Sequence, residues 1–270
     1  MFLSELRRAL MNIRMLSVIL VSLCLLYLSA YNTLLSTSVF IDSDATDLSV
    51  QGLEKIHEFG KNKYHIWTQS YIYLQTIFIF AAVLPFTASY IQEKNSKYHY
   101  LQMIRVGERK YRAIKFLVNC LAGGIALLLP EIIYYIFLTL LARNKVLEPF
   151  TFHPEGLYSN LFTETPDLYI FFIFGVHFLI GFAFAGFAYG ISSFFTKNIL
   201  AYVIPFGFYL TYDIIVSNNE IMNRYALTNL YNFMSSTDYS LSDFSLAIIG
   251  MLVLGISLYY INYRMVNKYG

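Results

Sequence analysis

The sequence predicts an all-α, polytopic membrane protein with six transmembrane helices. Three observations predict it. Of 270 residues, 57% are hydrophobic and 13% charged, with a mean hydropathy of +0.53, whereas soluble domains carry roughly a quarter charged residues and about half apolar ones. Aromatic residues reach 18%, including 24 Phe and 24 Tyr, more than a soluble core of this size encloses. Six apolar stretches are each long enough to cross a hydrocarbon core of about 30 Å at about 1.5 Å per residue. The spans are read as helices because a segment in hydrocarbon must satisfy its own backbone hydrogen bonds. With 14 Gly and 6 Pro, collagen-like and low-complexity chains are excluded. A net charge of +2 gives no electrostatic footprint for nucleic acid.

Segment 1–14 reads MFLSELRRALMNIR. Leu3, Leu6, Leu10 and Ile13 recur at spacings of three and four, with Glu5, Arg8 and Asn12 opposite. This predicts a short amphipathic helix in the membrane interface, its basic face among the headgroups. The plainer reading is a positive anchor that only sets topology. The first span, about 15–35, is uncharged. It is expected to be retained and not cleaved as a leader, because the run is long and the small-residue pattern around Leu28-Ser29-Ala30 is poor. Leu23 before Cys24 also fits a lipoprotein site badly. The second span, about 66–91, is uncharged. The third, about 113–142, contains Lys115 and Glu131, and Pro130 removes a backbone donor where the helix can kink.

The fourth span, about 168–195, holds His177. Its Gly181, Ala185, Gly186 and Gly190 sit at spacings that permit close helix packing. Only Thr196, Lys197 and Asn198 separate it from the fifth, about 199–216, so the two form an antiparallel hairpin. The fifth contains Asp213, and the sixth, about 244–263, is uncharged. Segment 217–243 carries several apolar residues; it either dips back toward the membrane or stays an exposed loop. Cys24 and Cys120 lie in apolar runs and read as membrane-buried thiols, not a disulfide. Residues 1–270 read as one membrane domain.

Charge orients the spans. With the N-terminus inside, segments 1–14, 92–112, 196–198 and the tail after 263 hold twelve of the 19 Lys and Arg. They hold three acids, Glu5, Glu93 and Glu108. The outer loops hold six Lys or Arg and twelve acids. The positive-inside rule then places both termini in the cytoplasm. A multi-pass protein of a bacterial plasma membrane is expected.

Segment 92–112 reads QEKNSKYHYLQMIRVGERKYR. Tyr98, Leu101, Met103 and Ile104 can form a short helix with an apolar side. Gly107 suits its C-cap, because glycine accepts the left-handed conformation cheaply. Glu108 then opens the next helix, where an anion is favoured. A short helix, a glycine break and a long membrane-entering helix are predicted. Such a projection can push on a cytoplasmic partner; a basic loop that only obeys the positive-inside rule fits equally.

In this architecture and in this segment the chain resembles the permease subunits of type-2 ATP-binding-cassette exporters. The resemblance in pattern rests on Glu93, Met103-Ile104-Arg105-Val106-Gly107, Arg109, Tyr111 and Lys115. It departs in one place: Lys94 follows Glu93, and no glycine follows closely, where many members have one. The resemblance implies that the segment is the coupling helix, seated in a groove of a cytoplasmic ATPase. Glu93, Tyr98, Leu101, Ile104, Arg105, Gly107, Arg109 and Tyr111 would serve that coupling. It also implies a second permease copy, identical or related. No Gly-x-x-x-x-Gly-Lys-Ser/Thr loop is present; Gly60-Lys61-Asn62 and Gly123-Gly124 do not approach it. No cofactor is expected on this chain, with ATP and Mg on the partner ATPase.

Ionisable residues within spans are functional candidates by default. His177 lies about ten residues below the outer end of its span, ~15 Å deep, and Glu131 ~16 Å deep. The depths allow a Glu131–His177 pair. They equally allow each to be satisfied by tyrosine hydroxyls such as Tyr134 and Tyr135, or by backbone carbonyls. Asp213, near the outer interface, is read as solvated. The expected function is export of a hydrophobic or amphipathic cargo, such as a peptide, antibiotic or lipid. A non-transporting receptor or immunity protein is the alternative. An intramembrane metalloenzyme is disfavoured, because zinc chemistry needs clustered ligands. The chain lacks His-Glu-x-x-His, and His57-Glu58 in an outer loop has no second His. No catalytic residue and no metal ligand is assigned.

Overall fold

The computed structural model describes residues 1–40, 49–144, 154–219, 222–232, 234 and 240–269. These are helical and contain no strand; Asn62 and Arg143 form an isolated bridge. Helix α1 (Phe2–Leu10) precedes α2 (Ile13–Ala30). Asn12 separates them and caps α2: its side chain accepts from Met15 N at 2.9 Å and donates to Ala9 O at 2.6 Å. A π-helical turn (Tyr31–Leu35) carries α2 into α3 (Ser36–Phe40).

Helices α4 (Val50–Gly60) and α5 (Lys63–Thr68) follow, N-capped by the side chains of Ser49 and Asn62. Next come α6 (Leu74–Val83), α7 (Ser89–Asn95), α8 (Tyr98–Val106) and α9 (Glu108–Leu141). Helix α10 (Ser159–Glu164) leads into α11 (Pro166–Ser192), which opens on proline, whose missing N–H is no loss in a first turn. Helix α12 (Leu200–Ser217), a 3-10 turn (Asn223–Tyr225), α13 (Leu227–Tyr231) and α14 (Leu241–Tyr269) complete the chain.

Among the described residues, five helical stretches are long and apolar enough to cross a membrane: Ile13–Val39, Glu108–Leu141, Pro166–Ser192, Leu200–Ser217 and Leu241–Met265. They overlap the first, third, fourth, fifth and sixth predicted spans. The predicted second span is not one helix. It is divided into α5, α6 and α7 by turns at 69–73 and 84–88. Pro85, which has no N–H to give, lies in the second turn. Carbonyls at or beside the breaks accept hydrogen bonds from side chains. Gln69 O accepts Ser29 Oγ at 2.8 Å, Gln75 O accepts Tyr209 Oη at 3.1 Å, and Pro85 O accepts Asn12 Nδ2 at 3.4 Å. Irregular backbone at membrane depth is tolerated only where protein supplies such partners.

The divided segment nevertheless runs the length of α9. At one end, Lys63 N donates to Arg143 O at 3.0 Å and Lys63 Nζ to Asp167 Oδ1 at 3.0 Å. At the other end, Glu93 meets Lys115. Lys115 and Arg143 are 28 residues apart, ~42 Å of helix.

Helix α11 is the most enclosed of the five and packs on α9, α14, α6 and α12. Small residues permit this. A Cβ on Gly123 would lie 2.3 Å from Ala185 Cβ, and one on Gly190 would lie 2.4 Å from Gly255 O. The small-residue stripe of the fourth span is therefore spent on contacts within the chain. Pro130 sits inside α9, which continues through it. Cys24 and Cys120 are free thiols, Cys24 exposed and Cys120 buried.

Candidate functional sites

Two clusters, one at each half of α9, hold Glu93, Lys115, Glu131 and His177. The first lies where α1, α7 and α9 meet. Lys115 is on α9 two turns inside Glu108 and is 0% exposed. Its Nζ donates to Glu5 Oε2 at 2.5 Å and to Glu93 Oε1 at 2.6 Å. Arg8 donates to the same Glu93 oxygen at 2.5 Å, and Tyr111 Oη to Glu93 Oε2 at 2.5 Å. Tyr111 and Lys115 are four apart on one helix and so share a face. Two carboxylates and two cations balance, which is how ionised groups tolerate this burial.

Burial would raise the Glu93 pKa. The Lys115 ammonium and the hydrogen bonds from Lys115, Tyr111 and Arg8 outweigh it and hold the carboxyl below its ordinary value. Glu93 and Tyr111 are thus interior residues, whereas a residue that contacts a cytoplasmic partner must be on the surface.

Helix α1 docks on the protein from both sides: Glu5 and Asn12 reach Lys115 and Pro85, Arg8 reaches Glu93 while its side chain stays 43% exposed, and Leu6 and Leu10 pack on the core. Leu3 and Arg7 remain exposed. The Glu5 contact follows from charge: Lys115 has no acid within a turn of it on α9, and Glu5 and Glu93 supply the countercharge.

Helix α8 projects from this cluster. His99 faces inward, its Nδ1 3.3 Å from Glu93 O. Tyr98, Leu101 and Ile104, spaced three apart, are exposed, Ile104 to 82%. Arg105, Gly107 and Arg109 are exposed as well. Gly107 has φ 81° and ψ 143°, a backbone that side chains other than hydrogen rarely allow, and it ends α8 as α9 begins. Helix α9 starts at Glu108, five residues before the predicted span.

The second cluster lies between the C-terminal half of α9 and the N-terminal half of α11. Glu131 and His177 do meet: His177 Nδ1 is 2.7 Å from Glu131 Oε1, and both residues are 0% exposed. Tyr231 Oη donates to Glu131 Oε1 at 3.0 Å. His177 Nε2 lies 2.9 Å from Tyr231 O. A carbonyl oxygen only accepts, so Nε2 carries a proton. One further proton belongs to the Nδ1–Oε1 contact, on either atom, and the pair is net neutral in both arrangements. The Tyr231 ring stacks on His177 at 4.2 Å and on Phe78 at 4.7 Å. Tyr134 and Tyr135 answer other groups: Ser70 Oγ donates to Tyr134 Oη at 3.0 Å, and Lys63 Nζ to Tyr135 Oη at 2.9 Å.

Tyr231 belongs to the 217–243 segment, which dips into the bundle: Leu227, Leu230 and Tyr231 are buried. Positions 220, 221, 233 and 235–239 of that segment lie outside the described residues. Asp213 is not simply solvated. It accepts from Thr228 N at 3.0 Å and Thr228 Oγ1 at 2.5 Å, tying α12 to the start of α13. No group of three His, Cys, Asp or Glu able to hold a metal ion occurs among the described residues.

The sequence reading named Glu93, Lys115, Glu131 and His177 but did not pair them with Glu5, Arg8 and Tyr231. The first two could have been found by asking what neutralises Lys115. Nothing in the sequence signals Tyr231, which reaches the site from a long loop. No known protein family matches the chain, and no curated protein or solved structure matches it either.

Proposed function

We propose that this chain is the membrane-spanning permease subunit of an ATP-driven exporter, working with a separate cytoplasmic ATPase. The observation that carries the reading is α8: a short helix with an exposed Tyr98–Leu101–Ile104 face, joined through Gly107 to the 34-residue α9. Exposed apolar patches mark interaction surfaces. At its root, Glu93 and Lys115 bind α7 and α9 together. Force applied to α8 is therefore delivered to α9, and through the α9–α11 contact to the centre of the bundle.

Six crossings with both termini cytoplasmic fit the contacts between helix ends. Helix α1, the ends of α7 and α14 and the start of α9 share one end of the bundle, through Glu5–Lys115, Arg8–Glu93 and Arg112 over the Tyr263 ring at 4.9 Å. The turn after α11 joins them, with Asn95 Nδ2 donating to Thr196 O at 2.9 Å. On this reading the divided segment α5–α7 is the second crossing. The positive-inside rule makes this end cytoplasmic, in a bacterial plasma membrane. Two permease copies would form the path, ATP and Mg would bind the ATPase, and the cargo would be hydrophobic or amphipathic.

The test is purification of the tagged chain from its native host with Leu101→Cys or Ile104→Cys for crosslinking. An ATP-hydrolysing subunit that crosslinks at these positions is expected. An assembly with no nucleotide-hydrolysing component, or crosslinks only to a sensor or receptor partner, overturns the reading.

A further inference from the structure

We propose that the junction of α9 and α14, at the same end of the bundle, binds the phosphate headgroup of an anionic phospholipid. A cavity of about 370 Å³ is lined by Arg109, Arg112, Ala113, Tyr259, Tyr260 and Tyr263. Arg112 is its chemical centre. It is 5% exposed, and its Nη2 lies 2.9 Å from Glu108 Oε1. Its Nε and Nη1 have no hydrogen-bond partner among the described residues. The Tyr259 hydroxyl lies within reach of the Arg112 guanidinium.

A guanidinium offers five N–H donors in a planar fork, and leaving buried donors unmade is costly. One carboxylate oxygen does not use that capacity. Arg109 adds a second guanidinium at the mouth, and Arg264 a third on the next stretch of α14, its Nε donating to Tyr260 Oη at 3.0 Å. The two lining arginines against Glu108 leave the cavity with an excess of positive charge, and Arg264 stands outside the lining. A phosphate oxygen pair matches the arginine fork in bidentate geometry.

The surroundings select a lipid as the carrier of that phosphate. On α14 beside the cavity, Val253, Ile256, Tyr260 and Ile261 are about half exposed, a continuous apolar surface for acyl chains. Three tyrosines ring the mouth, the side chain favoured at headgroup depth. Basic residues at a cytoplasmic membrane face attract anionic lipid. Neither the Glu93–Lys115 cluster nor an ATPase partner is required for this site.

The test is native mass spectrometry of the full chain in detergent, titrated with phosphatidylglycerol or phosphatidylcholine. About a tenfold preference for phosphatidylglycerol is expected, reduced about fivefold by Arg112→Gln and by Arg109→Gln. sn-Glycerol 3-phosphate, the soluble source of the same group, is expected not to bind at matched concentration. The proposal is overturned if the wild type shows no preference, if both variants retain it, or if the soluble phosphate binds as well as the lipid. Should Arg112→Gln fail to fold, exposed Arg109 decides alone: an unchanged preference in Arg109→Gln overturns it.

Discussion

Lys115 shows what a single residue demands of its surroundings. An ammonium fully enclosed in the bundle is tolerable only because Glu5 and Glu93 each sit within 2.6 Å of it. Removing one partner of such a buried network leaves an uncompensated charge, at a cost of ~3–5 kcal/mol. We predict that Lys115→Met destabilises the chain by about 3 kcal/mol or more, measured by denaturant titration in mixed micelles. A loss under 1 kcal/mol would show that the network does not hold the fold. The pH dependence follows from Glu93. Its carboxyl is held low in the folded state, so on mild acidification the unfolded chain takes up the proton first. The stabilisation from Glu93 is therefore full above the unfolded carboxyl pKa and is lost as pH falls through the folded value. The stability gap between wild type and Glu93→Gln should stay constant down to about pH 5 and close below it; a gap that widens in acid contradicts the assignment. In the other cluster, His177→Phe strands the Glu131 carboxyl, and a cost of ~3 kcal/mol is expected. Adding Glu131→Leu should recover part of it in a double-mutant cycle, because both polar partners are then gone. At this scale the sequence named the charged residues, since ionisable groups stand out in apolar runs. It could not name Tyr231, because one tyrosine among 24 carries no mark of where its hydroxyl ends.

Elements depend on where backbones turn and how closely they approach. The break between α8 and α9 was legible, because Gly107 follows a helical pattern and precedes an acid. Its φ of 81° makes any side chain there strained, although a Cβ would meet open space. Gly107→Ala should cost ~1–2 kcal/mol at the junction and re-aim α8 while the long helices stay folded. On the proposed exporter reading, the measurement is ATP hydrolysis coupled to transport beside thermal unfolding: coupling falls and the unfolding midpoint moves little. Full coupling in this variant would remove α8 as the lever. At the α11–α14 crossing the constraint is space. Gly190→Leu drives side-chain atoms into Gly255 O, so the helices must part, and a loss above ~2 kcal/mol is expected. Wild-type stability there would refute the close crossing. The division of the second span into α5, α6 and α7 was not legible. Hydropathy reports that residues 66–91 prefer hydrocarbon, and it is blind to whether Ser29, Tyr209 and Asn12 stand ready to satisfy a broken backbone.

For the molecule as a whole, the contacts between helix ends make sidedness testable. Impermeant thiol reagents applied to intact cells should label Lys61→Cys and leave Leu101→Cys unlabelled until the cells are opened, in a background lacking Cys24 and Cys120. Labelling of Leu101→Cys from outside would invert the topology and remove the ATPase reading with it. Composition by itself determined that the chain is helical and made for a bilayer, because apolar run length and backbone hydrogen bonding leave few alternatives. The count of basic residues proposes an inner and an outer side, and helical rise placed Glu131 and His177 at similar depth. Only the tertiary structure decided which faces meet. A residue's depth depends on its position along one helix, whereas its partner depends on the rotation and approach of two. That rotation is set by small-residue contacts such as Gly123 with Ala185 and by the charges that must be paired. The same cause brings Glu5 of α1 inward: the Lys115 ammonium, far along the chain, takes it as countercharge.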